Sequence, residues 1–230
     1  MSSTNKKKAV VLCSGGLDST TVLYYAIDKG YDVYPISFNY KQRHVVELSF
    51  VKKTMEKLGL IGKWKVFNLN FTQIQASALT DGKLVVPGGR KPDEMEGIPI
   101  TYVPLRNTIF LSYAAAYAEA LDIQDIFIGV NAIDYSGYPD CRPEYIESME
   151  KAINKGSRYV DDESKEFKIH VPLIEKTKSD IITLGLALGV DYDFTWSCYD
   201  PQIQDESIKP CGTCDSCILR KKGFEELEAK

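Results

Sequence analysis

Lys8-Ala9-Val10-Val11-Leu12-Cys13-Ser14-Gly15-Gly16-Leu17-Asp18-Ser19-Thr20 is the stretch from which the fold can be read. Its first six residues form a short apolar run bounded by glycines, the pattern of a buried parallel strand. Over residues 18–29 helix formers take over, and they stop at Gly30, a C-terminal signal. Between strand and helix, Gly15 and Gly16 let successive backbone N–H groups turn toward one centre without Cβ obstruction. A nest of this kind, opening onto a helix N-terminus, holds an anion with help from the helix dipole. Ser14, Ser19 and Thr20 add hydroxyl donors, and Asp18 stands where a carboxylate can hold Mg²⁺ or cap the helix. The Gly-Lys-Ser/Thr ending of a Walker loop is absent, so no γ-phosphate lysine is supplied here. Ser-Gly-Gly alone is also ordinary turn chemistry; its position after a buried strand and before a helix favours the phosphate site.

Working outward, the same rhythm repeats. Residues 31–38 predict a second strand, 45–58 a second helix closed by Gly59, and 65–71 a third strand with period-2 alternation. Residues 72–100 break the pattern with Pro87-Gly88-Gly89 and several charges, and are expected to form a long excursion near the site. A helix over 107–121 with an Ala-rich face follows, then a strand over 125–130 and a loop over 131–143. A helix from Pro143, a strand over 168–171 and a helix over 178–188 complete the series. Alternation of this kind implies right-handed crossovers and a parallel sheet covered on both faces. Ligands in such sheets bind outside the carboxyl ends of the strands, which places the loops at 14–20, 39–44 and 131–142 on one rim.

Composition sets bounds on the chemistry. The 230 residues, 44% hydrophobic and 26% charged, suit one domain or one domain with a small appendage. A formal net charge of −4 argues against a broad basic face for nucleic acid. No apolar run approaches the roughly 18 residues of a membrane span, and the run after Lys6-Lys7-Lys8 is too short for a secretory signal. The expectation is a cytoplasmic enzyme.

Six cysteines are unevenly placed. Cys211-x-x-Cys214-x-x-Cys217 brings three thiols within a turn or two of backbone, and Cys198 lies far enough upstream to return as a fourth ligand. Four thiolates fit a closed tetrahedral Zn²⁺ site, structural because no position stays open for water. A [4Fe–4S] cluster also takes four cysteines, and disulfides or unliganded thiols are further readings. Lys209, Arg220, Lys221 and Lys222 would offset a tetrathiolate charge. Cys13 is expected in the core, and Cys141 near the site but not as a nucleophile.

Residues 131–143 are rich in groups that read flat polar rings: Asn131, Asp134, Tyr135, Asp140 and Arg142. Asp134 and Asp140 are candidates for an amidine-like N–H edge, with Asn131 and Tyr135 beside them and Arg142 for an anionic group. A loop held by its own Asx turns is the alternative. Asp18, Ser19, Arg106 and Lys178 are the candidate catalytic groups, clamping phosphate charge, with Arg43 as a further cation. His44 could take a proton or touch a phosphate, or simply be packed, whereas His170 reads as structural.

In this setting the hexapeptide Ser14-Gly15-Gly16-Leu17-Asp18-Ser19 resembles the PP-loop of N-type ATP pyrophosphatases, which activate a carboxylate or carbonyl as an adenylate. The wider pattern SGGLDST, YVPLRNT, GVNAIDYSGYPDCRPE, and SCY followed by CGTCDSC is similar to the 7-cyano-7-deazaguanine synthase family, from about residue 8 to about residue 222. The resemblance implies an α/β fold with a Rossmann-like (adenine nucleotide alpha-hydrolase/PP-loop type) parallel sheet flanked by helices, and a small C-terminal zinc-binding region. Residues 1–190 would form the ATP-binding and catalytic domain, and residues 191–230 the zinc region packed on it. It also implies an ATP-dependent ligase that turns 7-carboxy-7-deazaguanine and ammonia into 7-cyano-7-deazaguanine, releasing AMP and pyrophosphate, in queuosine precursor biosynthesis. One zinc per subunit would sit on Cys198, Cys211, Cys214 and Cys217. ATP would lie along Cys13, Ser14, Gly15, Gly16, Leu17, Asp18, Ser19, Thr20, Thr21, Val22 and Leu23. Members of the family are generally homodimers. A PP-loop tRNA-modifying enzyme (thiolation or lysidine type) and a nucleotide-binding module without catalysis are the competing readings; the first predicts a basic surface, the second an idle loop at 131–142.

Overall fold

A computed structural model describes residues 6–91, 94–95, 97–133, 137–204 and 207–229. The opening run is strand β1 (Lys8–Leu12), followed by α1 (Leu17–Asp28), β2 (Asp32–Asn39), α2 (Glu47–Lys57) and β3 (Lys65–Asn68). After the excursion come α3 (Arg106–Ala120), β4 (Asp125–Phe127), α4 (Pro143–Gly156), β5 (Lys168–His170) and α5 (Lys178–Ala187). The chain ends in an antiparallel hairpin, β6 (Gln202–Gln204) and β7 (Ser207–Lys209), and α6 (Asp215–Glu228).

The five long-range strands pair in parallel in the order β3-β2-β1-β4-β5. Strand order reverses at β1 and β4, which opens a crevice beyond their carboxyl ends. Alternation along β1 feeds two cores. Val10 and Leu12 face a cluster with Leu111, Ala114 and Ala118 of α3 and Ile146 of α4. Ala9, Val11 and Cys13 face the other way, with Val22 and Leu23 of α1, Val51 and Met55 of α2, and Ile181 and Ile182 of α5. Both faces of the sheet are thus covered, as apolar runs without polar alternation require.

Two strands stop short of the expected ends. Strand β3 ends at Asn68, with Leu69 N–H still reaching Asn39 O at 2.8 Å. Strand β4 ends at Phe127, with Ile128 N–H still donating to His170 O at 3.1 Å. A Cβ at Gly129 would stand 3.1 Å from the backbone of Asp18 and Ser19, so the close approach of this strand end to the loop depends on glycine.

The excursion at 72–100 contributes Ala78, Leu79 and Val86 to the core rather than covering the crevice. Its far end bridges Gly88 to Cys214, with Gly89 N–H donating to Thr213 O at 2.8 Å. Arg90 pairs with Asp215 at the start of α6. Arg43, expected among the phosphate cations, is likewise turned away: it holds Asp200 at 3.1 Å and Leu84 O at 2.8 Å. The excursion is a strap onto the cysteine region.

Candidate active site

At the switch point lies a cleft with about 280 Å³ of free volume. Its floor is the loop between β1 and α1. Gly15 has φ +88°, a conformation side chains resist, and its carbonyl accepts from Trp196 N–H at 2.8 Å. Ser14 and Ser19 fasten the turn: Ser14 N–H donates to Ser19 Oγ at 3.1 Å, Gly16 N–H to Ser14 Oγ at 3.2 Å, and the two hydroxyls lie 3.0 Å apart. Gly16 is the N-cap of α1 and supplies no side-chain acceptor. The N–H groups of the first turn therefore face the cleft as an anion cradle.

Not all of residues 13–23 face this cleft. Cys13, Ser14, Gly16, Leu17, Asp18 and Ser19 line it, whereas Val22 and Leu23 are buried between helix and sheet. Thr20 is buried too, and Thr21 is spent on Tyr192, oxygen to oxygen at 2.8 Å. These four positions secure α1 and do not line the cleft.

Two cations reach in. Lys178, the first residue of α5, holds both carboxylate oxygens of Asp18, at 2.8 and 2.9 Å. Arg106 opens α3 after Leu105, whose φ of +52° is uncommon for a branched residue. Its guanidinium lies 3.5 Å from Tyr40 Oη and has no carboxylate partner among the described residues. A half-buried guanidinium in that condition is a ready partner for a planar anion. Much of the remaining wall is apolar and aromatic, with Phe38, Tyr40, Phe110, Tyr138 and Tyr199. Phe38 and Phe110 stack with centroids 4.1 Å apart and planes within 6°. Flat ring chemistry fits this wall.

The expected reading of 131–143 is only partly met. Asn131 lines the cleft, yet its amide donates to Leu173 O at 3.1 Å and to Lys176 O, tying this loop to the start of α5. Asp134 and Tyr135 lie outside the described residues. Asp140 needs correction: it is 4% exposed, and its carboxylate accepts from Asn107 N–H at 2.9 Å. A buried carboxylate at the start of a helix answers the helix's own N–H groups and dipole, so it is not available to a base edge. Arg142 is also corrected; it precedes α4, is exposed, and does not line the cleft. Cys141 reaches the cleft wall, but burial pushes its thiol up to about 12, which leaves it without nucleophilic thiolate at neutrality. His170 is structural as expected, with Nε2 2.7 Å from Asp125 and its ring stacked on Phe127.

Several lining residues carried no sequence signal for a place in the cleft. Glu47 of α2, and Asp215, Ser216, Leu219 and Arg220 of α6, join the cleft only through tertiary packing. Arg220 donates to Thr195 Oγ1 at 2.7 Å and Tyr192 O at 2.8 Å, so it locks α6 beneath the loop.

Beside this cleft the four cysteines converge, with all Sγ atoms of Cys198, Cys211, Cys214 and Cys217 within 4.8 Å of one another. A tetrahedral ion with 2.3 Å bonds to sulfur needs S···S edges of about 3.8 Å. Backbone N–H groups already point at the sulfurs: Asp200 and Cys211 toward Cys198 at 3.3 and 3.2 Å, and Cys214 toward Cys211 at 3.3 Å. Amide donors around thiolates orient and stabilise a metal centre. The donor set fits a single metal ion.

A parallel sheet whose switch-point cleft holds a glycine nest, a helix N-terminus and two inward cations defines an ATP-using enzyme of the PP-loop type. The chain belongs to the QueC family of queuosine biosynthesis proteins, whose family model matches residues 8–228. It is 52% identical to the 7-cyano-7-deazaguanine synthase of Desulfatibacillum aliphaticivorans over 227 residues, covering 98% of this chain and 95% of the relative. The 7-cyano-7-deazaguanine synthase of Thermoplasma acidophilum is 53% identical over 221 residues, covering 96% and 89%. Among solved structures, a 4-thiouridine synthetase in complex with RNA and ATP superposes with TM-score 0.53 at 19% identity, over 97% of this chain and 52% of that one. NMN synthetase from Francisella tularensis gives TM-score 0.51 at 14% identity, over 98% and 78%. At such identities the last two speak to the fold alone. Among the described residues no helix is long and apolar enough to cross a membrane.

Proposed function

We propose that this chain is a ligase making 7-cyano-7-deazaguanine from 7-carboxy-7-deazaguanine and ammonia at the cost of ATP. The observation that carries the reading is the cleft itself, in a chain about half identical to synthases of that name. An anion cradle and a set of aromatic rings line it together, as a phosphate chain and a flat base require. A carboxylate resists ammonia because resonance and negative charge repel the nucleophile. Adenylation replaces one carboxylate oxygen's charge with a leaving group, AMP, and ammonia then gives the amide. The amide oxygen must be adenylated in turn and leave as AMP for the nitrile to form.

The loop at 14–19 receives pyrophosphate each time, its N–H groups and hydroxyls matching charge that develops on the departing oxygens. Lys178 and Arg106 add fixed positive charge, and Asp18 and Ser19 set the loop geometry. Mg²⁺ would be held chiefly by phosphate oxygens with Asp18 as the protein carboxylate, and would neutralise charge on the leaving group. The cysteine site takes one Zn²⁺ with a structural role; thiols within 4.8 Å of each other suit one ion better than a four-iron cube, which would hold its thiolates further apart. Residues 1–190 carry the phosphate loop and both inward cations, while residues 191–230 hold the metal and complete the cleft wall with Tyr199 and Arg220. Asn131 borders the base, and Asp134 and Tyr135 are assigned a part in recognising it. The protein works in the cytoplasm as a homodimer on small molecules, without nucleic acid, in keeping with its net charge of −4.

The test is turnover: protein, the acid, ATP, Mg²⁺ and ammonium should yield the nitrile by mass spectrometry with AMP and pyrophosphate. No consumption of the acid by folded, metal-loaded protein would remove the substrate assignment. Arg106→Met should keep the fold and lower kcat/KM for the acid by roughly 10²–10³, the loss typical of one charge-stabilising donor. Steady-state kinetics against both substrates checks this; an unchanged value would take Arg106 out of the site.

A further inference from the structure

Ammonium carries four N–H protons and a nitrile carries none, so a reaction of the proposed kind must dispose of every one of them inside the cleft. This inference rests on that reading. Among the described lining residues, the groups able to take protons are nearly all engaged. Asp18 is held by Lys178 at 2.8 Å, and Asp215 by Arg90 Nε at 3.1 Å. Burial pushes the Cys13 and Cys141 thiols up, so neither offers a thiolate.

The pair left over is Glu47 and His44, both lining the cleft, 7% and 5% exposed. Glu47 opens α2, and its backbone carbonyl abuts Gly15, where a Cβ would stand 2.5 Å away. Its side chain lines the same cleft as Ser14, Gly16 and Ser19 of the phosphate loop. Gln42 Nε2 donates to Glu47 Oε1 at 3.0 Å, and His44 Nε2 lies 3.6 Å from the same oxygen. His44 Nδ1 is buried with no partner among the described residues, and its ring lies 5.6 Å from that of Tyr199. No lysine or arginine pairs with Glu47 among the described residues; the charged and titratable groups acting on the two from neighbouring elements are Arg106 of α3, Tyr40 after β2, and Cys214 of the metal site.

We infer that Glu47 is the base that takes protons from the substrate nitrogen, with His44 and Gln42 as its positioning residues. The balance is complete without oxidant or reductant. Ammonium gives one proton to the carboxylate and becomes the nucleophile. Its attack on the acyl adenylate forms C–N, breaks C–O to release AMP, and yields a second proton. After the amide oxygen is adenylated, the C–O bond breaks with AMP while nitrogen surrenders the last two. Each proton passes from Glu47 to solvent before the next. Burial raises the Glu47 carboxyl to about 8 and lowers His44 to about 3, so both are mostly neutral at pH 7 and the carboxylate grows in as pH rises through about 8.

The amide, 7-carbamoyl-7-deazaguanine, isolates the step, since its conversion to nitrile needs no ammonium. With wild-type protein its rate should rise through about pH 8. Glu47→Gln should lose that rise and at least about 100-fold in nitrile formation, while pyrophosphate exchange into ATP, driven by the acid without ammonia, stays within about twofold. Nitrile formation by the variant at the wild-type rate overturns the inference, as does an equal loss of exchange, which would make Glu47 a support for Gly15. If the variant does not fold, the wild-type profile with amide decides: a rate flat from about pH 6 to about pH 9 overturns it equally. Absence of acid-dependent exchange in wild-type protein would instead remove the proposed function, so the two failures are distinguishable.

Discussion

Gly15→Ala is expected to abolish ATP-dependent turnover while leaving most of the sheet intact. Alanine at φ +88° is strained by roughly 1–3 kcal/mol. The added methyl would also stand 2.5 Å from Glu47 O and 2.9 Å from Val51 Cγ2. A backbone carbonyl in a helix does not yield as a flexible side chain does, so the loop or α2 must move. Overpacking of this kind adds about 1–3 kcal/mol. Displacing the cradle by about 1 Å costs on the order of 10² in rate, and more where several N–H groups move together. The check is kcat/KM for ATP beside thermal denaturation. A variant with wild-type ATP kinetics would show that the turn does not hold phosphate.

The second large effect concerns the cysteines. Cys214→Ser should lose the metal and much of the stability. Cys198 and Cys214 are each 1% exposed and belong to the main core. The site also anchors the strap through the Gly88–Cys214 bridge and the Arg90–Asp215 pair. Structural zinc in small domains is worth about 10–16 kcal/mol of binding free energy. Losing even about 4 kcal/mol in a chain of this size lowers Tm by about 10 °C. Metal analysis by mass spectrometry, with melting curves before and after chelation, reads both effects. One equivalent of zinc in the wild type and none in the variant is expected. Iron with sulfide, or an unchanged Tm after stripping, would contradict the structural zinc site.

The parts of this architecture that are local in the chain are the parts legible in the sequence. The run from Lys8 to Thr20 shows strand, turn and helix because apolar residues, glycines and helix formers follow one another without interruption. The cysteines are legible because thiol spacing restricts what four sulfurs can do. What escaped depends on distant contacts. Asp140 has the composition of a base reader, but Asn107, 33 residues away, presents the N–H that engages it. Arg142 lies in the same stretch but is exposed at the residue preceding α4. Glu47 looks like any first-turn glutamate until α2 is packed onto Gly15. The segment at 72–100, read by its irregularity as lying near the site, instead packs Ala78, Leu79 and Val86 into the core and bridges Gly88 to Cys214.

Double adenylation is the central claim, and oxygen labelling tests it most directly. The protein should be given the acid with both carboxylate oxygens as ¹⁸O, together with ATP and ammonium. Each nitrile formed should then be matched by two AMP molecules, each carrying one ¹⁸O, and by unlabelled pyrophosphate. Label in phosphate beside ADP, or released to water with unlabelled AMP, would contradict the account.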